Sequence, residues 1–139
     1  DVVTVEDVEK VCATQTTSHI FDMISAIANK KQQQALDLYY DLLELKEPPM
    51  RILYLIVRQF NGILQVKDLM SRGILGKEIA SKIGAAPFVV GKYQAQAKYF
   101  EMNTLLDALN ECAKTEEAVK QGRLNDRLGV ELIIIKYSK

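Results

Sequence analysis

The longest apolar helix in this chain is predicted over residues 48–70, PPMRILYLIVRQFNGILQVKDLM. Pro48 and Pro49 suit the start of a helix, because proline lacks only an N–H group that the first turn leaves unpaired. From Met50 to Met70, apolar side chains then fall on nearly every side of the helix. A helix of this kind in a globular domain is central and buried. We therefore predict an all-α fold, a single bundle of about six helices around this central one.

The other helices are predicted from apolar periodicity, capping residues and glycine stops. They fall near residues 4–12, 20–28, 31–45, 77–83, 87–100 and 104–121. The last segment, residues 128–137, is ambiguous because Ile133, Ile134 and Ile135 favour a strand by propensity. No partner strand is recognisable elsewhere in the sequence, and an isolated strand would leave its hydrogen-bonding groups unpaired. We therefore predict a helix there, started by Asn125 or Asp126.

One stretch has the composition of a linker, the polar and β-branched run Ala13-Thr14-Gln15-Thr16-Thr17-Ser18. It would separate the short first helix from the rest of the bundle. The sequence starts with Asp1 rather than methionine and enters a helical pattern almost at once. We therefore expect a piece of a longer protein, with a boundary near residue 17.

The charge pattern argues against a nucleic-acid or membrane role for the whole domain. The 18 basic and 18 acidic side chains cancel, so there is no domain-wide attraction to polyanions. The apolar stretch 52–66 is interrupted by Arg58, Gln59 and Asn61 and is too short for an uninterrupted membrane span. No signal-peptide pattern is recognisable. We expect a cytoplasmic protein without membrane contact.

The cysteines and the single histidine do not form a recognisable reactive or metal site. Cys12 and Cys112 have no CxxC spacing, and with His19 they supply only three of the four ligands of a structural zinc site. We expect both cysteines to be reduced structural residues, as in cytosolic proteins. We interpret His19 as a surface residue rather than as a catalytic base for Cys12.

Gly76-Lys77 resembles part of a phosphate-binding loop. That motif needs a glycine five residues before the second glycine and a serine or threonine after the lysine, where this chain has Ser71 and Glu78. A turn and helix start is the better interpretation. The acidic residues on one face of a predicted helix are interpreted as solvated rather than as acid–base catalysts: Asp37, Asp41 and Glu44. We predict no enzymatic activity, no metal and no cofactor.

A helix-turn-helix DNA-binding domain is the main alternative to an assembly module. Ala80, Gly84 and Val90 have the spacing by which two short helices dock, with the second free to enter a major groove. That second helix, however, uses its apolar side chains for packing. The side chains left for DNA would be Lys92, Gln94, Gln96 and Lys98. Because this set lacks the clustered arginine of phosphate and guanine contacts, we favour the assembly module.

Three segments, in this order, resemble a known family. They are HIFDMISAIANKKQQQALDLYYDLLELKEPPMRILYLIVRQFNGILQVKDL (19–69), GKEIASKIGAAPFVVGKYQAQAKYF (76–100) and KQGRLNDRLGVELIIIKYS (120–138). Their order and spacing resemble the carboxy-terminal, collar region of the delta subunit of the bacterial DNA polymerase III clamp loader. The early segment TVEDVEKVCA resembles the end of the lid subdomain of that family. The resemblance implies a lid end and linker over residues 1–17 and a helical collar domain over residues 18–139.

The resemblance also implies partners and a task. The parent would be an AAA+-related subunit that does not itself hydrolyse ATP, and no catalytic residue of the family falls in this region. An amino-terminal domain absent from this sequence would grip and open the sliding clamp that is loaded on primed DNA. The collar domain would pack with the gamma or tau and delta-prime subunits into a pentamer.

Two features of the sequence indicate where subunits would meet. Arg58 interrupts an otherwise apolar helix, and residues 122–127 form the one polar, arginine-bearing turn between two well-formed helices. Arginine and aromatic side chains are enriched at protein interfaces. The candidate interface residues are Tyr54, Arg58, Arg123, Asn125 and Arg127.

Overall fold

A computed structural model describes the backbone of residues 5–139 and the side chains of residues 16–139. The backbone so described forms helices and no strand, which confirms the predicted all-α class. The helices are α1 (Val5–Ala28), α2 (Gln32–Glu44), α3 (Pro49–Ser71), α4 (Gly76–Ile83), α5 (Pro87–Ala97), α6 (Met102–Lys120) and α7 (Asp126–Tyr137).

Helix α3 is the central element of the bundle, as predicted. It begins at Pro49, directly after Pro48, and packs against α1, α4, α5, α6 and α7. Ile56 and Phe60, one turn apart, are both buried. The expectation that α3 is buried on every side is wrong, because the side chain of Tyr54 is 62% exposed. No helix of the described residues covers that side, so part of α3 faces solvent.

The predicted linker at residues 13–18 is wrong. Helix α1 runs without interruption from Val5 to Ala28. Thr16 is buried within it, and its hydroxyl donates a hydrogen bond to a carboxylate oxygen of Glu47 at 3.2 Å. Threonine is only a few tenths of a kcal/mol less helical than alanine, so such a tertiary contact overrides its propensity. The predicted start of the first helix near residue 4 lies outside the described residues, and the assignment of residues 1–17 to a lid subdomain stays a prediction.

The bundle has a large core and a smaller one. The large core joins α1, α2, α3, α6 and α7, and within it the Phe60 ring meets the Phe100 ring edge-on at 5.7 Å between centroids. The smaller core docks α4 and α5 onto the carboxy-terminal half of α3 through Val66, Ile79 and Val90. Tyr93 of α5 packs against both cores. The α4–α5 pair is therefore attached mainly to α3, and α5 also contacts α1.

Helix α7 confirms the helical prediction for the isoleucine-rich segment. The Asn125 side chain accepts a hydrogen bond from the Leu128 N–H at 3.0 Å and so caps the helix. Tyrosine hydroxyls tie α7 to its neighbours: Tyr39 donates to the carbonyl oxygen of Arg127 at 2.7 Å, and Tyr40 donates to Glu131 at 2.9 Å. Ile133 and Ile134 are buried in the core and Ile135 is partly buried, so core packing stabilises this segment as a helix.

Alkaline solution should destabilise this bundle. Burial raises the pKa of Tyr39 and Tyr137, and it raises the pKa of the Cys112 thiol to about 12. A pKa raised by folding gives stability that is complete below the pKa of the unfolded chain and is lost as pH rises towards the folded value. We expect the unfolding free energy, from urea titrations at successive pH values, to fall above about pH 9.

Tyr39→Phe is the control for this pH dependence. The variant loses the hydrogen bond to the Arg127 carbonyl and is less stable at neutral pH. It also lacks the Tyr39 hydroxyl, whose pKa is raised by folding. Its unfolding free energy should therefore decline less steeply between about pH 9 and pH 11 than that of the parent. Parallel declines for the two proteins would contradict the assignment of Tyr39 to this effect.

Candidate protein interface

The structure places the predicted interface residues in two groups. Tyr54 and Arg58 lie one turn apart on α3, and both are exposed. The other three are exposed at the turn between α6 and α7: Arg123, Asn125 and Arg127. The clefts beside Tyr54 and Arg58 are lined by residues of α1, α3, α5 and the α4–α5 turn, and by none from residues 121–127. The two groups are therefore separate surface regions.

At the α6–α7 turn, two of the candidates have structural roles in their own right. The side chain of Asn125 caps α7, and the backbone carbonyl of Arg127 accepts the Tyr39 hydroxyl. The guanidinium groups of Arg123 and Arg127 form no ion pair with the residues that the structure describes. This turn thus combines a helix cap with two exposed cations.

At α3, two clefts lie side by side and share Arg58, Val89 and Tyr93. We call the combined surface the Arg58 groove. The first cleft has a volume of about 190 Å³. Besides the three shared residues, it is lined mainly by residues of α1, α3 and α5: Ile20, Phe21, Leu55, Gln59 and Lys92. The second, of about 530 Å³, is completed mainly by residues of α3 and the α4–α5 turn: Tyr54, Val57, Asn61, Gly62, Gln65, Ile83, Gly84, Ala85 and Ala86. The groove is thus an open surface between the main bundle and the α4–α5 pair.

The floor of the groove depends on Gly62. A Cβ atom at this position would lie 2.6 Å from Cε2 and 2.8 Å from Cε1 of Tyr93, closer than real Cβ contacts. The missing side chain lets the Tyr93 ring lie flush against α3 and contact both cores. A lone glycine inside a long apolar helix is a sequence signal for such a close approach. Gly62 is therefore a groove residue that the sequence predictions missed.

Gln96 fixes the position of α5 against α1 and α3. Its side chain is only 3% exposed, and its amide donates hydrogen bonds to the carbonyl oxygen of Phe21 at 3.0 Å and to Oγ of Ser25 at 2.9 Å. The amide of Gln59 in turn donates to Oε1 of Gln96 at 2.6 Å. The expectation that Gln96 is available for DNA is therefore wrong. A buried glutamine is tolerated because its polar atoms are paired.

The electrostatics of the groove are one-sided. The Lys92 ammonium lies over the rings of Phe21 and Phe88, at 5.1 and 4.7 Å from their centroids. Arg58 makes no ion pair with any residue that the structure describes, and no carboxylate among those residues lines either cleft. The Phe88 ring that Lys92 contacts is 73% exposed. The groove therefore offers apolar surface beside two cations.

The other predicted features form no site in the described part of the chain. Lys77 and Glu78 are exposed in the first turn of α4, so Gly76-Lys77 is a turn and helix start as interpreted. His19 lies on α1 and is only partly exposed, whereas Cys112 is buried and Cys12 lies outside the described side chains. The acidic residues of α2 are exposed: Asp37, Asp41 and Glu44.

The described residues contain neither a metal-binding cluster nor a membrane-spanning helix. No three of their histidine, cysteine, aspartate or glutamate side chains are arranged to hold a metal ion. Within the same part of the chain, every helix is too short or too polar to cross a bilayer.

The fold and most of the sequence match one protein family. Residues 17–137 match the family model for the C-terminal domain of the DNA polymerase III delta subunit. The chain is 33% identical over 137 residues to DNA polymerase III subunit delta of Bacillus subtilis (strain 168). The matched segment covers 99% of this chain and 40% of that protein. It is also similar in structure to the Bacillus subtilis DNA clamp loader delta protein, with a TM-score of 0.87 and 32% identity over 98% of this chain and 40% of that one. The chain therefore belongs to the DNA polymerase III delta subunit family and carries its C-terminal domain.

Proposed function

We propose that this domain is the collar of a clamp-loader delta subunit and that its task is to hold the subunit in the loader. Its partners would be the collar domains of the gamma or tau and delta-prime subunits, together forming a pentamer. The observation that carries the proposal is the TM-score of 0.87 to a clamp-loader delta protein over 98% of the chain. The chain spans only 40% of that protein, so the activity of the whole loader enters here as part of the proposal.

The domain would contribute assembly and no chemistry. Clamp binding and opening would be carried out by parts of the delta subunit outside this sequence, and the loader would act on primed DNA in the cytoplasm. Two buried side chains with polar groups fix helices to one another and support this division of labour. Gln96 joins α5 to α1, and Tyr39 joins α2 to α7. A rigid domain of this kind suits a scaffold, because little conformational entropy remains to be lost on binding.

Size-exclusion chromatography tests this function. The chain, mixed with purified gamma or tau and delta-prime subunits, should co-elute with them as a complex of defined stoichiometry. It should hydrolyse no ATP when it is alone. The control is the same chain mixed with an unrelated acidic protein, from which it should elute separately. Elution of the chain as a separate peak from the loader subunits, at micromolar concentrations of both, would contradict the assembly role.

A further inference from the structure

We propose that the Arg58 groove is the surface through which this domain contacts its neighbour, and that the occupant is an acidic amphipathic helix. The occupant would insert apolar side chains between α3 and α5 and pair carboxylates with Arg58 and Lys92. This inference rests on the proposed assembly function and names the surface and the partner chemistry. It goes beyond fold similarity, which does not indicate which helix faces are used.

Charge complementarity specifies the occupant. Some cations elsewhere on the surface have carboxylate partners within the chain: Arg51 pairs with Glu47 at 3.3 Å, and Lys120 pairs with Glu116 at 2.9 Å. Arg58 has no such partner among the described residues, and Lys92 contacts only aromatic rings. Covering these two cations with an apolar or basic surface would bury unpaired charge, which is costly. A carboxylate-bearing surface avoids that cost.

The apolar part of the groove indicates that the occupant also has an apolar face. Tyr54, which lines the second cleft, is 62% exposed, and Val89 lines both clefts. Phe88, whose ring contacts Lys92 of the first cleft, is 73% exposed. Exposed aromatic side chains beside an arginine have the composition of interface hot spots. Tyr54 and Arg58 are four residues apart on α3, about 6 Å along its axis. Side chains at i and i+4 of an incoming helix have the same spacing, so one apolar and one acidic side chain would reach both.

The groove is also rigid. Tyr93 is held against Gly62, and Gln59 is held by the buried amide of Gln96, so two residues of its lining have fixed positions. A preformed surface binds a helix with less loss of conformational entropy than a mobile one. Duplex DNA fits the groove less well, because two cations and exposed aromatic rings do not provide the row of phosphate contacts that a duplex requires.

Charge reversal tests the inference. The double variant Arg58→Glu and Lys92→Glu should bind at least one of the purified gamma or tau and delta-prime subunits about tenfold or more weakly than the parent, measured by titration calorimetry. The affinity of the parent should fall as salt rises, and that of the double variant should depend less on salt. Arg58→Lys should retain most of the affinity. Thermal melting of Arg58→Lys should match the parent, since Arg58 is exposed. The double variant should still unfold cooperatively, at a slightly lower midpoint because it loses the contacts of Lys92 with Phe21 and Phe88.

Lys77→Glu is the matched control. Combined with Lys139→Glu, it makes the same charge change as the double variant at two exposed positions outside both clefts, and this control should bind like the parent. Undiminished binding by the double variant would overturn the groove inference and leave the assembly function intact. Failure of the parent to bind any loader subunit would overturn both. Binding of a random-sequence duplex by the parent at micromolar affinity, lost in the double variant, would instead identify the groove as a nucleic-acid site and overturn the inference.

Discussion

Phe60→Ala should lower the free energy of unfolding by about 3 to 5 kcal/mol. Phe60 is 1% exposed, and its ring meets Phe100 edge-on at an interplanar angle of 86°. Truncation removes this contact and leaves a cavity where α3 meets the rest of the large core. The loss is a substantial part of the roughly 5 to 15 kcal/mol by which domains are stable, so the variant should also fail to co-elute with loader subunits at physiological temperature. Urea denaturation monitored by circular dichroism measures the change.

Tyr54→Ala is the matched control on the same helix. It removes an aromatic ring of similar size from a position that is 62% exposed. It should therefore change the free energy of unfolding by less than about 0.5 kcal/mol. Equal urea midpoints for Phe60→Ala and Tyr54→Ala would contradict the central role of α3 in this core.

Gln96→Met should cost about 1 to 3 kcal/mol of unfolding free energy. Methionine has nearly the same shape as glutamine but offers neither a donor for Oγ of Ser25 nor an acceptor for the amide of Gln59. At 3% exposure, Gln96 occupies a site where water does not easily replace those bonds. The penalty therefore comes from polar groups left without partners rather than from lost volume. Thermal and urea denaturation give the value.

A double-mutant cycle separates this cause from simple packing. In Gln59→Met combined with Gln96→Met, the Gln59 amide is no longer present to be left unpaired. The double variant should therefore be less destabilised than the sum of the two single variants. Additive effects, or a Gln96→Met protein that melts at or above the temperature of the parent, would show that the buried amide does not fix α5 in place.

The helix boundaries that could be predicted from the sequence are those set by local chemistry. Pro49 and Pro87 stand at the first positions of α3 and α5, where the absent N–H has no consequence. Gly84 ends α4 with a φ of 70°, a left-handed conformation that glycine adopts at little cost. Asn125 caps α7 through its own side chain. Each signal acts within one turn of the residue that carries it, so a single sequence is sufficient to find it.

The predictions that are wrong concern residues whose structure depends on partners far away in the sequence. The run 13–18 has the composition of a linker, yet Thr16 is held in α1 by Glu47, which is 31 residues away in sequence. Gln96 is polar and was expected to be accessible, yet its partners lie on α1 and α3. Of the groove residues, the sequence predicts Tyr54 and Arg58 as interface residues. It does not predict Lys92, which has a role only in the DNA-binding alternative. Its pairing with Phe21 and Phe88 depends on how α1 and α5 pack, which helical periodicity does not reveal.

The contacts of α7 with the first part of the chain also affect the kinetics of folding. Nζ of Lys30 donates to the carbonyl oxygen of Tyr137 at 3.3 Å across 107 residues, and Tyr39 meets Arg127 across 88. Helical proteins usually fold fast because their contacts are local in sequence. Here the chain must close a loop of most of its length, at an entropic cost, before the core gains its last helix. We therefore expect the docking of α7 against α2, rather than the formation of individual helices, to limit the rate of folding.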